Sequence, residues 1–95
     1  MFKIKLMGFH ELETREVFYI GAFHAPVPNE LDDALRVLED AASYAVSSGK
    51  ADMWIAKHDC DGVFMDLCDD STVVASYEYV PGRPLTFWFG DECHE

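Results

Sequence analysis

Hydrophobic and polar positions along this chain fall into segments with two periods, and the switch between them sets the predicted order of elements. Phe2, Ile4 and Leu6 alternate with Lys3, Lys5 and Met7, the period-two signature of a strand with one buried face, so a first strand is expected over residues 2–7. Residues 8–14 break the pattern and read as a loop. Residues 16–23, Glu-Val-Phe-Tyr-Ile-Gly-Ala-Phe, are apolar on both parities and rich in β-formers, which fits a strand covered on both faces in the interior of a sheet.

Pro26 and Pro28 make residues 24–29 a connection, because two prolines so close interrupt ladder and helix hydrogen bonding alike. The period then becomes helical. Leu31, Ala34, Leu35, Leu38, Ala41, Ala42 and Ala45 share one stripe. Asn29 is the expected N-cap, acids fill the first turn, and Gly49 is the left-handed stop, so a helix is expected over residues 30–47.

Beyond it the reading returns to β. Residues 52–58, 63–68 and 72–79 are expected to form a three-strand meander, joined by the acidic turns Asp59-Cys60-Asp61-Gly62 and Asp69-Asp70-Ser71. Parity assigns Trp54, Ala56, His58, Val63, Met65 and Leu67 to the core face, and leaves Lys57 near Asp66 on the other face with Asp59, Phe64 and Cys68. A three-residue second loop continues the core with Val73, Ala75, Tyr77 and Tyr79, a more apolar set than a two-residue loop would supply. Pro81-Gly82 centres a turn over residues 80–84, residues 85–89 form a last short strand, and residues 90–95 are a polar, frayed tail. The expected fold is one α+β domain over residues 1–95, in the order β-β-α-β-β-β-β. A single amphipathic helix packs on an antiparallel β-sheet, above Trp54, His58, Val63, Met65, Leu67, Val73 and Tyr77.

Composition changes this picture mainly through charge. Eighteen acids against seven bases give −11, and the imbalance is confined to part of the chain. Up to Pro28, three bases (Lys3, Lys5, Arg15) balance three acids; from Asn29 onward, fifteen acids face four bases. Such a field repels nucleic acid and anionic membranes and attracts basic partners. With no long apolar run and an alternating start, neither a membrane span nor a secretory signal is expected, and the expected location is the cytoplasm. Three cysteines, Cys60, Cys68 and Cys93, are an odd count and read as free thiols.

Chemistry-bearing motifs are sparse. The only soft-metal set is His58, Cys60, Cys68, Cys93 and His94, which contains no Cys-x-x-Cys pair. Residues 59–70 have the span of a calcium loop but lack its sixth-position glycine and terminal glutamate, and a strand occupies the middle. Cys60 has His58 two residues away, but Asp59 and Asp61 would raise the thiol pKa, and the glycines are too scattered to cradle a phosphate. The expectation is a protein without cofactor, metal or catalytic residues. What remains is fixed negative charge: Asp32, Asp33, Glu39 and Asp40 on the helix, and Asp59, Asp61, Asp66, Asp69 and Asp70 around the hairpins. Carboxylates held on rigid elements can face a Lys/Arg-rich groove much as DNA phosphates do.

In size, α+β plan and acidity the chain resembles the small phage-encoded inhibitors of the anti-CRISPR type, some of which mimic DNA. The resemblance implies a non-enzymatic inhibitor that binds a basic nucleic-acid-binding protein, such as a CRISPR-Cas effector subunit, without itself touching nucleic acid or membrane. A second reading, an interaction module such as an antitoxin, immunity protein or dimerising adaptor, would bind through an apolar aromatic face and residues like Trp88 or Phe64.

Overall fold

The computed structural model describes residues 1–10, 17–23 and 26–90. Its elements are β1 (Phe2–Phe9), β2 (Val17–Ala22), α1 (Leu31–Ser47), α2 (Lys50–His58), β3 (Gly62–Asp69), β4 (Thr72–Tyr79) and β5 (Thr86–Phe89). The five strands form one sheet in the order β2-β1-β3-β4-β5, with every neighbouring pair antiparallel. The α+β plan therefore holds, and the finer expectations differ from it in instructive ways.

The main correction is residues 52–58, which form most of α2 rather than a strand. Trp54 and His58 are four residues apart, a spacing that satisfies both a period of two and a period of 3.6, so the pattern alone does not separate the alternatives. Ala51, buried, and Trp54, Ile55 and His58, half-buried, define the helical stripe, and Ala56 is exposed instead of lying in the core. Gly49 ends α1 in the left-handed region at φ 81°, and α2 begins at the next residue. The turn 59–62 consequently closes no hairpin. Asp59 caps α2 at φ 51°, the Cys60 N–H donates to Ile55 O, and the Asp61 N–H donates to Phe9 O.

The other corrections are local. β1 extends through Gly8 and Phe9, and the N-cap of α1 is Glu30 rather than Asn29, with no side-chain capping bond. β2 is an edge strand, not an interior one. It is apolar on both parities because Phe18 and Ile20 pack toward the helices while Val17 packs on the opposite face. The interior position belongs to β3, in which every residue but Asp69 is buried.

Parity in most of the β3–β4 hairpin is as expected, but it arises differently. Val63 pairs with Tyr79, Met65 with Tyr77 and Leu67 with Ala75, so Ala75, Tyr77 and Tyr79 share the core face, whereas Val73, expected with them, pairs with Cys68 and does not join the core. The loop, however, closes on the pair Asp69–Thr72 and leaves two residues, Asp70 and Ser71; a register shift between Leu67 and Cys68 supplies the odd residue as a bulge. Asp70 takes the left-handed conformation at φ 55° that this turn requires.

The helices cover one sheet face. Ala34, Leu38, Ala42 and Ala45 of α1 and Ala51 of α2 pack on Ile4, Leu6, Val63, Met65, Leu67, Ala75 and Tyr79. The alanines along that contact let α1 lie close to the sheet. The opposite face carries a smaller cluster, Phe9 stacked on Phe64 with ring centroids 4.6 Å apart, flanked by Met7, Val17, Val80 and Trp88.

Candidate protein-binding surface

The acids divide among four places. Asp32 and Asp33 in the first turn of α1, and Glu39 and Asp40 two turns later, are all exposed. Arg36 is the one cation on this helix, and none of the five makes an ion pair among the described residues, so the four-residue pairings of Arg36 with Asp32 and Asp40 do not form. Asp69 and Asp70 lie at one end of β3, exposed, with the Met1 amine 3.1 Å from Asp69 Oδ1. Asp59, exposed, and Asp61, half-buried, lie at the other end. Eight strand residues separate these two ends by about 26 Å at the usual rise, so the two acidic turns form no common patch.

Asp66 is the correction within this set. Expected as solvent-facing charge, it is instead 2% exposed, and Ser76 Oγ donates to its Oδ1 at 2.6 Å. Lys57 does not approach it, because α2 packs on the other side of the sheet; the residue paired with Asp66 across the strands is Lys5 of β1. The register continues this row through Ser76 to Trp88 of β5. Next to it Glu78, buried at 9% exposure, accepts a bond from Trp88 Nε1 at 3.0 Å. A sheet face without helices thus holds a buried polar network, which the sequence signals only as three isolated polar residues in otherwise apolar strands.

The direction of α1 along the sheet is fixed through α2. Asp52 in the first turn of α2 accepts a hydrogen bond from Tyr79 Oη at 2.8 Å, which ties the α1–α2 junction to the Val63/Tyr79 end of the sheet. The N-terminal half of α1, with Asp32 and Asp33, therefore points toward the end that carries Asp69 and Asp70. Near mid-helix, Glu39 is close enough to Tyr77 for its charge to add to burial in pushing the phenol pKa up.

Tyr77 leads to a surface that neither candidate aromatic anticipated. Phe64 is 1% exposed and Trp88 is half-buried with its indole bonded, so neither offers a free aromatic face. Their neighbours do. Phe87 is 44% and Phe89 57% exposed on the helix side of β5, beyond the cover of α1. Tyr77 and Phe87 rings are 5.0 Å apart, and Phe87 and Phe89 are 6.4 Å apart. The sequence clue is Phe87-Trp88-Phe89, in which parity puts the two phenylalanines together and Trp88 opposite.

At the other edge of the sheet, a cleft of about 250 Å³ is lined by Leu6, Ile20, Gly21, Ala22, Phe23, Trp54, Lys57 and His58. Phe23 and Trp54 meet edge to face with centroids 5.8 Å apart. This end of the molecule is apolar with the Lys57 ammonium at its margin, in contrast to the acidic α1 side.

Thiol chemistry is suppressed where the structure describes it. Burial pushes both Cys60 and Cys68 thiols up, with the charges of Asp61 and Asp59 adding to the effect at Cys60 and that of Asp66 at Cys68. Among the described residues no three His, Cys, Asp or Glu side chains gather as a metal site, and no helix is long and apolar enough to cross a membrane. Cys93, His94 and the acids Asp91, Glu92 and Glu95 lie outside the described residues. No family model, curated protein or solved structure matches the chain.

Proposed function

We propose that this protein is a non-enzymatic acidic binding protein that occupies a basic nucleic-acid-binding surface on a partner, in the manner of a phage-encoded inhibitor acting in the host cytoplasm on a CRISPR-Cas effector. The observation that carries the reading is the outer side of α1, where Asp32, Asp33, Glu39 and Asp40 are exposed and free of ion pairs among the described residues. Carboxylates without local partners keep their full field for an incoming cationic surface, and a helix packed on a sheet holds them at fixed spacing.

Magnitude limits what this charge achieves alone. Seventeen helical residues span about 25 Å at the usual rise, over which duplex DNA carries about 15 phosphates. Four carboxylates and one arginine are far sparser. The acids therefore steer and orient the partner, and further contact must hold it.

The experiment is affinity capture from a native lysate at low and at high salt, followed by displacement of labelled DNA from the captured protein. The expected result is a nucleic-acid-binding protein recovered at low salt, released at high salt and stripped of DNA in proportion to added inhibitor. Asp32→Lys/Asp33→Lys and Glu39→Lys/Asp40→Lys variants should each lose capture. Unchanged capture by both variants, with folding verified by circular dichroism, would rule the reading out.

A further inference from the structure

The hydrogen-bond phase of β5 makes its outer edge specific. Gly90 N–H donates to Val74 O at 2.6 Å. In an antiparallel ladder, directly opposed residues alternate between pairs that exchange both backbone bonds and pairs that exchange none. Counting from Val74/Gly90 along the observed register, Ser76/Trp88 and Glu78/Thr86 are bonded pairs, whereas Ala75/Phe89 and Tyr77/Phe87 are not. The N–H and C=O groups of Phe87 and Phe89 therefore point away from β4, off the edge of the sheet. These are the same residues whose rings are exposed on the helix side. Two outward backbone pairs and two aromatic rings thus coincide on one short strip.

Protected edges are very short or carry a charge, a proline or a bulge. β5 is short, four residues, but Thr86, Phe87, Trp88 and Phe89 include no charge, proline or bulge. From its geometry we infer that β5 accepts an extended, basic segment of the partner as a sixth strand, whose helix-side Lys or Arg side chains lay their apolar stems on Phe87 and Phe89 and carry their charged heads toward the acids of α1, while the alternate apolar residues face the other side of the sheet. The inference rests on the proposed acidic reading, for which it supplies the missing contact.

Charge selects both the edge and the occupant. At the β2 edge a basic strand would meet the charge of Lys57. At the β5 edge it would meet the field of Glu39, which already reaches Tyr77. Arg83, in the turn before β5, is the nearest opposing charge in sequence. A second copy of this chain, also carrying −11, would set two acidic α1 helices on the same side of a shared sheet, an arrangement that repulsion disfavours.

The test uses isotope-labelled protein and a short synthetic peptide alternating arginine with valine, with a glutamate–valine peptide of equal length as control. Slowed amide exchange and shifted resonances at Phe87 and Phe89, with Ile20 and Ala22 unaffected and the acidic peptide silent, are expected. Phe89→Pro removes an outward N–H without touching the bonds to β4, and should weaken binding at least roughly tenfold. Phe89→Ser keeps the N–H and should weaken it less. Binding that moves only α1 amides, or that survives Phe89→Pro unchanged, overturns the edge while leaving the acidic reading intact. Absence of any binding also overturns it, and lysate capture then decides the acidic reading separately. Edge protection that rises with protein concentration without peptide assigns the edge to a second copy and overturns the proposal.

Discussion

Ser76 donates its hydroxyl proton to Asp66 Oδ1 at 2.6 Å, and both side chains are buried on the sheet face that carries no helix. Hydrogen bonds to a charged group are stronger than neutral ones, so this bond should matter more than an ordinary one. Ser76→Ala is expected to lower stability by about 1.5–3 kcal/mol. The Asp66→Ala/Ser76→Ala double variant should fall short of the sum of the two singles, because they share one interaction. Urea denaturation of the four proteins checks both statements; additive losses would mean that the pair is not coupled.

Tyr79 and Asp52 supply the link between α2 and the sheet. Tyr79→Phe removes one hydrogen bond and should cost about 0.5–1.5 kcal/mol. Its pH signature is equally specific. The bond to Asp52, then burial, raise the Tyr79 pKa above its ordinary value. A raised folded pKa favours the neutral phenol in the folded state, so the contribution is complete below about pH 10, the unfolded value, and is lost as pH climbs through the folded value. Tyr77, raised by burial and by Glu39, adds to the same alkaline slope. Stability profiles measured from about pH 8 to about pH 11, a range that brackets the ordinary phenol value, should fall less steeply for Tyr79→Phe than for the natural sequence.

Gly62 has no room for a side chain. A Cβ there would stand 2.5 Å from the Phe9 ring and 2.8 Å from the backbone oxygen of Tyr79. A ring can tilt, but the Tyr79 carbonyl belongs to the neighbouring strand. Gly62→Ala should therefore destabilise by about 1–3 kcal/mol, through overpacking where β3 begins. At Gly8 the close atoms are the tips of the Phe18 and Ile20 side chains at the sheet edge, and the same substitution should cost less. Thermal melts of the two variants give the ranking.

Cys60 and Cys68 should be silent toward thiol reagents until the protein unfolds, since both are buried and both are held protonated by desolvation and neighbouring carboxylates. In a Cys93→Ser background, a disulfide reagent at about pH 7.5, below the ordinary thiol value, is expected to label neither thiol in the native protein and both in urea. Rapid native labelling of Cys60 would show that the α2–β3 connection opens readily.

Asp32 and Asp33 complement the positive end of the α1 dipole. Reversing them should lower stability by about 1 kcal/mol. A thermal melt separates that modest loss from the much larger loss of partner capture expected under the binding proposal. Equal fractional losses in both would mark these acids as structural.

How far the elements are legible in the residues depends on the kind of signal. The stripe of α1 reads correctly because seventeen residues give the 3.6 period time to separate from every other. Alternation locates β1, β3 and β4, and even the odd parity of the β3–β4 hairpin comes from which residues need a common face. α2 does not read, because in nine residues Trp54 and His58 satisfy both periods. Its state is fixed by where the chain leaves Gly49 and by the bond from Tyr79 to Asp52, which is 27 positions away.

The surface divides in the same way. Residue content and order are enough to establish a large negative charge confined to the later two-thirds of the chain, an α+β core and the lack of a local reaction motif. Which acids face solvent is a matter of packing: Asp66 lies in the middle of β3, between Lys5 of β1 and Ser76 of β4, and is buried, whereas Asp69 lies at the end of the strand beside the turn and is exposed. Packing also covers Trp88 and Phe64 and leaves Phe87 and Phe89 exposed. Their exposure depends on β5 being last in the sheet and beyond the reach of α1, a matter of strand order that no local pattern of residues encodes.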